Sequence, residues 1–132
     1  MTFPYVQYDK FYRPIVPVTF VVGDQRLNYE ALIDTGADYS VVDREIGLEL
    51  GLSFERAVPA EVVGIAGSTA GHIVLVDIEL AGAHLTQVPV IFADLGPRSF
   101  GILGHGGLFD RFRLTIEFAK REFQIVPSRR KR

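Results

Sequence analysis

A mainly β domain with one or two short helices is what this chain predicts, on two observations. Short apolar runs recur throughout, each closed by Gly, Pro or Asp. Two of them, 73–80 and 114–118, alternate apolar and polar side chains at the strand period of two. With 132 residues, 48% of them apolar, and no low-complexity segment or internal repeat, the chain suffices for one domain that buries a real core.

The elements follow in order. Phe3, Tyr5, Tyr8, Phe11 and Tyr12 make residues 1–14 an aromatic-rich arm, expected to pack on the body or on a partner subunit. The domain proper spans 15–127. Ile15 to Val22, the turn Gly23-Asp24-Gln25, and Leu27 to Ile33 read as a hairpin that ends at Asp34. Asp43 to Leu52 reads as a short helix, with Asp43 at its N-cap and Gly51 ending it. Ile73 to Leu80 is a strand with Val74, Val76, Ile78 and Leu80 inward and Asp77 and Glu79 outward. Val88 to Phe92 is another strand, and 103–112 holds a second short helix. Leu114 to Phe118, a turn at 119–121, and Glu122 to Val126 close the domain, with Leu114, Ile116 and Phe118 on a buried face. Residues 128–132, Ser-Arg-Arg-Lys-Arg, form a basic tail, simplest as a solvated end.

Composition excludes several chemistries. Without cysteine there are no disulfides, thiolate metal sites or thiol catalysis. A formal net charge of -2 gives no broad field for nucleic acid or anionic membrane. No apolar run approaches the ~20 residues of a membrane span. Residues 1–5 lack the basic start and apolar stretch of a secretion signal, so a soluble cytoplasmic protein is expected. His72, His84 and His105 show no ligand spacing, so neither a metal nor a cofactor is expected.

The run Ala31-Leu32-Ile33-Asp34-Thr35-Gly36-Ala37-Asp38-Tyr39-Ser40-Val41-Val42 carries the functional argument. Asp-Thr-Gly alone is ordinary turn chemistry, in which Asp bonds its own backbone and Gly tolerates positive φ. Apolar segments on both sides change that reading, because they grip one carboxylate at the tip of a tight turn. Downstream, Phe100-Gly101-Ile102-Leu103-Gly104 is a second signal, and the glycine-rich stretch Val62 to Val74 lies between the two.

In this order these three segments resemble the retroviral-type (retropepsin) aspartic peptidases, over roughly residues 15–127. The resemblance implies a closed acid-protease barrel and a homodimer in which each chain supplies one Asp34. It assigns Asp34, Thr35 and Gly36 to the catalytic loop, and Thr35 to a hydrogen bond across the dimer axis. The 100–104 segment would pass beneath that loop. Gly64, Gly67 and Gly71 would let a flap bend over substrate, although a plain surface hairpin also fits them. Ala37, Asp38, Gly64, Ile65, Ala66 and Gly67 become the candidate substrate-binding residues, and Ile65, Val41 and Ile102 candidate pocket walls. The family follows the residue matching Gly104 with Arg, which pairs with the residue matching Asp38. Here His105 stands there, so either His105 or a nearby Arg111 or Arg113 is expected to take that role.

The chemistry agrees with a dimer. Peptide hydrolysis of this class needs two facing carboxylates that share one proton and one water. Asp94-Leu95-Gly96 is no second copy, since Pro97 rather than an apolar strand follows it. Two-fold symmetry supplies the partner carboxylate instead. The expected function is a homodimeric aspartic endopeptidase acting on extended peptide or unfolded protein, inert as a monomer. The alternative is a weakly active or inactive dimeric peptide-binding module. Ala37 stands where pepsin-like enzymes carry a hydroxyl donor, so activity is expected nearer neutral than strongly acidic pH.

Overall fold

Aromatic side chains tie the first residues to the last strands in a computed structural model of the chain, which describes residues 1–64, 67–96 and 100–128. The first strand, β1 (Thr2–Pro4), adds to the edge of the C-terminal hairpin. Phe3 stacks on Phe123 at 5.5 Å, and Tyr5 meets Phe118 and Phe123 edge-on. A small hairpin follows, β2 (Val6–Tyr8) with β3 (Phe11–Arg13), turned by Asp9 at φ 59°. Of the two placements open for the arm aromatics, packing on the body is the one seen for Phe3 and Tyr5.

The next strands build a barrel. β4 (Ile15–Val22) and β5 (Gln25–Ile33) pair antiparallel from Val22 opposite Gln25 to Ile15 opposite Leu32. Their turn is Gly23-Asp24, with Gly23 at φ 57°. β6 (Ser40–Asp43) leads into α1 (Arg44–Glu49). The Asp43 carboxylate caps that helix by accepting from the Glu45 N–H at 3.2 Å. Gly47 lets the helix sit on the core, since a Cβ there would lie 2.6 Å from the Phe54 ring and 2.9 Å from that of Phe92.

Beyond the helix come β7 (Val58–Gly64), β8 (Gly67–Leu80), β9 (Ala83–Ala93) and β10 (Gly101–Leu103). Hydrogen bonding runs in the order β4-β5-β10-β6-β9-β8, and β8 pairs back with β4 through Phe20 opposite Ile78. Six strands thus close on themselves, which removes the exposed edges of an open sheet. Two pairings are parallel, β5 with β10 and β6 with β9. Val16, Val18 and Phe20 alternate into the interior from β4, meeting Ile78, Leu80, Val90, Phe92 and Leu103. Val76, Ile78 and Leu80 face inward as expected, with Val74 packed against them. Arg26 and Glu79 form a two-pronged ion pair near the closing seam, and that pair holds the Glu79 carboxyl below its ordinary range.

A single 3-10 turn, Phe109–Arg111, is the second short helix, and β11 (Phe112–Glu117) and β12 (Glu122–Pro127) finish the chain. Strand β8 is longer than expected because the glycine-rich segment is itself extended. β9 begins earlier, at Ala83, and absorbs an irregularity where Gln87 at φ 57° donates to Asp77 Oδ1. One burial expectation fails. Ile116 is 47% and Phe118 56% exposed: only the Phe112–Leu114 end of β11 packs on the core, and Phe118 lies in the next 3-10 turn. Alternation showed that two faces differ; it did not show that one is covered.

Candidate active site

Strand β5 carries the chain out of the barrel core and releases it at Asp34. Ile33 donates its N–H to the Pro14 carbonyl at 2.9 Å, and Asp34 donates to the Leu103 carbonyl at 3.0 Å. The carboxylate therefore starts from a backbone held on both sides. β10 lies between β5 and β6, with Ile102 opposite both Leu32 and Val41. This insertion places the segment after Leu103 directly against the loop 34–39.

Inside the loop, Ala37 N–H closes a turn onto the Asp34 carbonyl at 3.2 Å, and Gly36 N–H donates to Asp34 Oδ1 at 2.9 Å. Glycine suits that position, since an added Cβ would lie 3.3 Å from the same oxygen. The segment 104–106 then grips the loop three times. Gly104 N–H donates to Ser40 Oγ at 3.1 Å, His105 N–H to the Ala37 carbonyl at 2.9 Å, and Gly106 N–H to the Asp38 carbonyl at 2.6 Å. Thr35, Gly36 and Asp38 stay exposed, while Asp34 and Ala37 are half-buried. One carboxylate is thus presented at a solvent-facing loop whose backbone hydrogen bonds are largely satisfied from beneath.

Of the expected residues, Asp34, Thr35, Gly36, Ala37 and Asp38 come together on this loop. Gly64 and Gly67 do not join it by any hydrogen bond among the described residues. They pair with each other at the far end of the β7–β8 hairpin. Ile65 and Ala66 lie outside the described residues. Gly71 is no bending point: it is buried, and a Cβ there would come within 2.8 Å of the Phe92 carbonyl oxygen. It is a packing glycine that lets β8 approach β9. Ala60 and Val62 of the hairpin pack with Val41, Ile73, Ile91 and Ile102 in a small apolar cluster. That cluster links one hairpin face to the strands flanking the loop.

The expected partner of Asp38 is not found. His105 Nε2 turns to the Thr35 carbonyl at 2.6 Å, and Arg111 donates to the Thr86 carbonyl at 3.3 Å. Neither these side chains nor Arg113 ion-pairs with Asp38 among the described residues. The reason is the path of the chain: 104–106 runs along the Asp38 carbonyl, which aims the His105 ring at Thr35. Asp94-Leu95-Gly96 behaves as a strand end, with Leu95 N–H donating to Asp43 Oδ1 at 2.9 Å and Gly96 at φ 92°. Asp43 therefore serves both the helix cap and this turn. Burial, and then the Asp43 charge, raise the hydroxyl of nearby Tyr29 above the ordinary phenol range. Among the described residues no group of three His, Asp or Glu side chains converges as a metal site, and no helix is long and apolar enough to cross a membrane.

Ser40 was missed in the sequence, although a lone hydroxyl opening the run Val41-Val42 was the available signal. It is fully buried, and its oxygen accepts from Gly104. Ser40→Ala strands that N–H in the interior, and is expected to cost about 1–3 kcal/mol, read as a lower urea midpoint.

The family model described as aspartyl protease matches residues 16–105, more than half of the chain, covering the whole loop, Gly104 and His105 of its support and the strands between. This chain belongs to the aspartyl protease family. No curated protein matches it. In this aspartyl protease the match reaches His105, whose backbone and ring both hold the Asp34 loop.

Proposed function

We propose that this aspartyl protease is a homodimeric endopeptidase of the retropepsin type, with Asp34 of each chain as one half of the catalytic pair. The observation that carries the reading is the single Asp34 loop, presented to solvent and braced by 104–106, in a barrel with no second loop of this kind among the described residues. Two carboxylates are needed, so the second comes from another copy on a two-fold axis. Thr35 is exposed beside Asp34, and in this reading its side chain hydrogen-bonds across that axis.

The steps follow from the pair. The ionised Asp34 takes a proton from a water held between the two carboxyls, and the water oxygen bonds to the scissile carbonyl carbon. The protonated Asp34 gives its proton to the carbonyl oxygen. In the tetrahedral intermediate the C–N bond then breaks as the nitrogen gains a proton from one carboxyl and a diol hydroxyl returns its proton to the other, so the carboxylic acid and amine leave and the pair again holds one proton. Gly36 N–H holds one oxygen of each carboxylate in place, so the group does not have to reorganise during the reaction.

Substrate is an extended peptide segment. The β7–β8 hairpin, whose Gly64 and Gly67 pair with each other, would serve as the flap, and Ala37 and Asp38 would meet substrate from the loop. Partly exposed Ile102 and Val62 would supply apolar walls, whereas Val41, an expected wall, is buried in the same cluster. The test is cleavage of a mixed peptide library, read by mass spectrometry at several protein concentrations. Cutting should rise more steeply than linearly below the dimer dissociation constant. A folded dimer with no cuts at any concentration would move the assignment to a peptide-binding module.

A further inference from the structure

We propose that His105 is a positioning residue that orients the Asp34 carboxylate through a single peptide plane. The Thr35 carbonyl and the Gly36 N–H belong to the same peptide unit. His105 Nε2 meets the carbonyl at 2.6 Å, and the N–H meets Asp34 Oδ1 at 2.9 Å. The unit is planar and stiff, so the direction fixed at its oxygen is delivered at its nitrogen. A hydrogen bond to the carbonyl also polarises the amide and makes its N–H a better donor. Because a carbonyl only accepts, Nε2 carries a hydrogen, which sets the neutral ring as the Nε2–H tautomer.

The ring has a firm base. His105 donates its own N–H to the Ala37 carbonyl at 2.9 Å, and its carbonyl accepts from Leu108 and Asp110, each at 3.2 Å. The backbone around His105 is therefore pinned at both of its polar groups, and the side chain spans from there to the other arm of the loop. Among the described residues no other group donates to the Thr35 carbonyl. Without His105 the Thr35–Gly36 plane loses the one donor to its carbonyl among the described residues, and the Asp34 carboxylate loses a fixed aim.

The catalytic consequence rests on the peptidase reading above, whereas the geometry can be tested without it. Wild type, His105→Ala, His105→Gln and Asp34→Asn are compared for kcat and KM separately, and for the Gly36 amide signal in proton–nitrogen NMR spectra. Gln is the conservative variant because its amide nitrogen donates from a similar reach and does not titrate. The Ala variant should lose roughly threefold to tenfold in kcat, the loss of about one hydrogen bond, with KM little changed. Gln should restore most of it. The Gly36 amide proton should move upfield in the Ala variant and return with Gln.

An Ala variant with unchanged kcat and unchanged Gly36 signal overturns the proposal, as does a folded Gln variant that restores neither. Cleavage that survives Asp34→Asn sinks the peptidase reading instead, and the Gly36 signal then decides His105 alone. Should the Ala variant not fold, the imidazole nitrogen shifts of wild type decide: a neutral ring protonated at Nδ1 overturns the proposal, and Nε2–H upholds it.

Discussion

Asp34→Asn is expected to abolish peptide cleavage while leaving the fold intact. Asparagine keeps the shape of the side chain, and its amide oxygen still accepts from Gly36 N–H, now at 2.9 Å from Asp34 Oδ1. Stability should change by no more than about 1 kcal/mol, read as the urea midpoint. Chemistry should suffer far more. A positioned acid or base contributes roughly 10²- to 10⁴-fold, and in a homodimer the substitution removes both at once. Mixing the two proteins sharpens the result. If subunits exchange freely, a dimer with one Asn has lost half of its pair, so an equal mixture should retain about one quarter of the wild-type activity through random pairing. Retention of about half would mean that each chain works alone, against a shared site.

How much of this was legible depended on whether the signal was local. The hairpin ending at Asp34, the Asp43 cap and the turn after β9 are short-range turn and cap chemistry, and the structure places each where the residues indicated. The inward set on β8 was legible from alternation, since the closed barrel covers that face. The same alternation failed for Ile116 and Phe118, because the core covers β11 only as far as Leu114. What could not be read was direction across long separations. His105 stands 70 residues from Thr35 in sequence, and the aim of its ring depends on β10 threading between β5 and β6. The resemblance supplied an expected partner, Asp38, and the path of 104–106 supplied a different one. Gly71 illustrates the same limit: a glycine in a glycine-rich stretch looked like a bend, and the Phe92 carbonyl shows it to be a contact.

Gly104→Ala should be strongly destabilising. A Cβ at this position would lie 2.5 Å from the Tyr39 carbonyl oxygen and 2.7 Å from that of Ala37, with the Tyr39 carbonyl carbon also at 2.7 Å. These are backbone atoms, so no rotamer change relieves the overlap. The segment must back away from the loop, and in doing so it stretches the Gly104–Ser40, His105–Ala37 and Gly106–Asp38 hydrogen bonds together. Overpacking of a close-packed contact costs about 1–3 kcal/mol, and a further 1–3 kcal/mol follows for each buried polar group left unpaired. Of the three bonds only Gly104–Ser40 is buried, so a total of roughly 2–6 kcal/mol is expected, read by urea unfolding, which is large for a domain of this size. Gly64→Ala is the control, because among the described residues its Cβ would meet nothing nearer than 3.8 Å, and stability there should stay within about 0.5 kcal/mol. If instead Gly104→Ala proved as mild as Gly64→Ala, the loop would not be supported by 104–106 at all. The carboxylate would then owe its placement to β5 alone, and the loss of aim predicted for His105 variants would disappear with it.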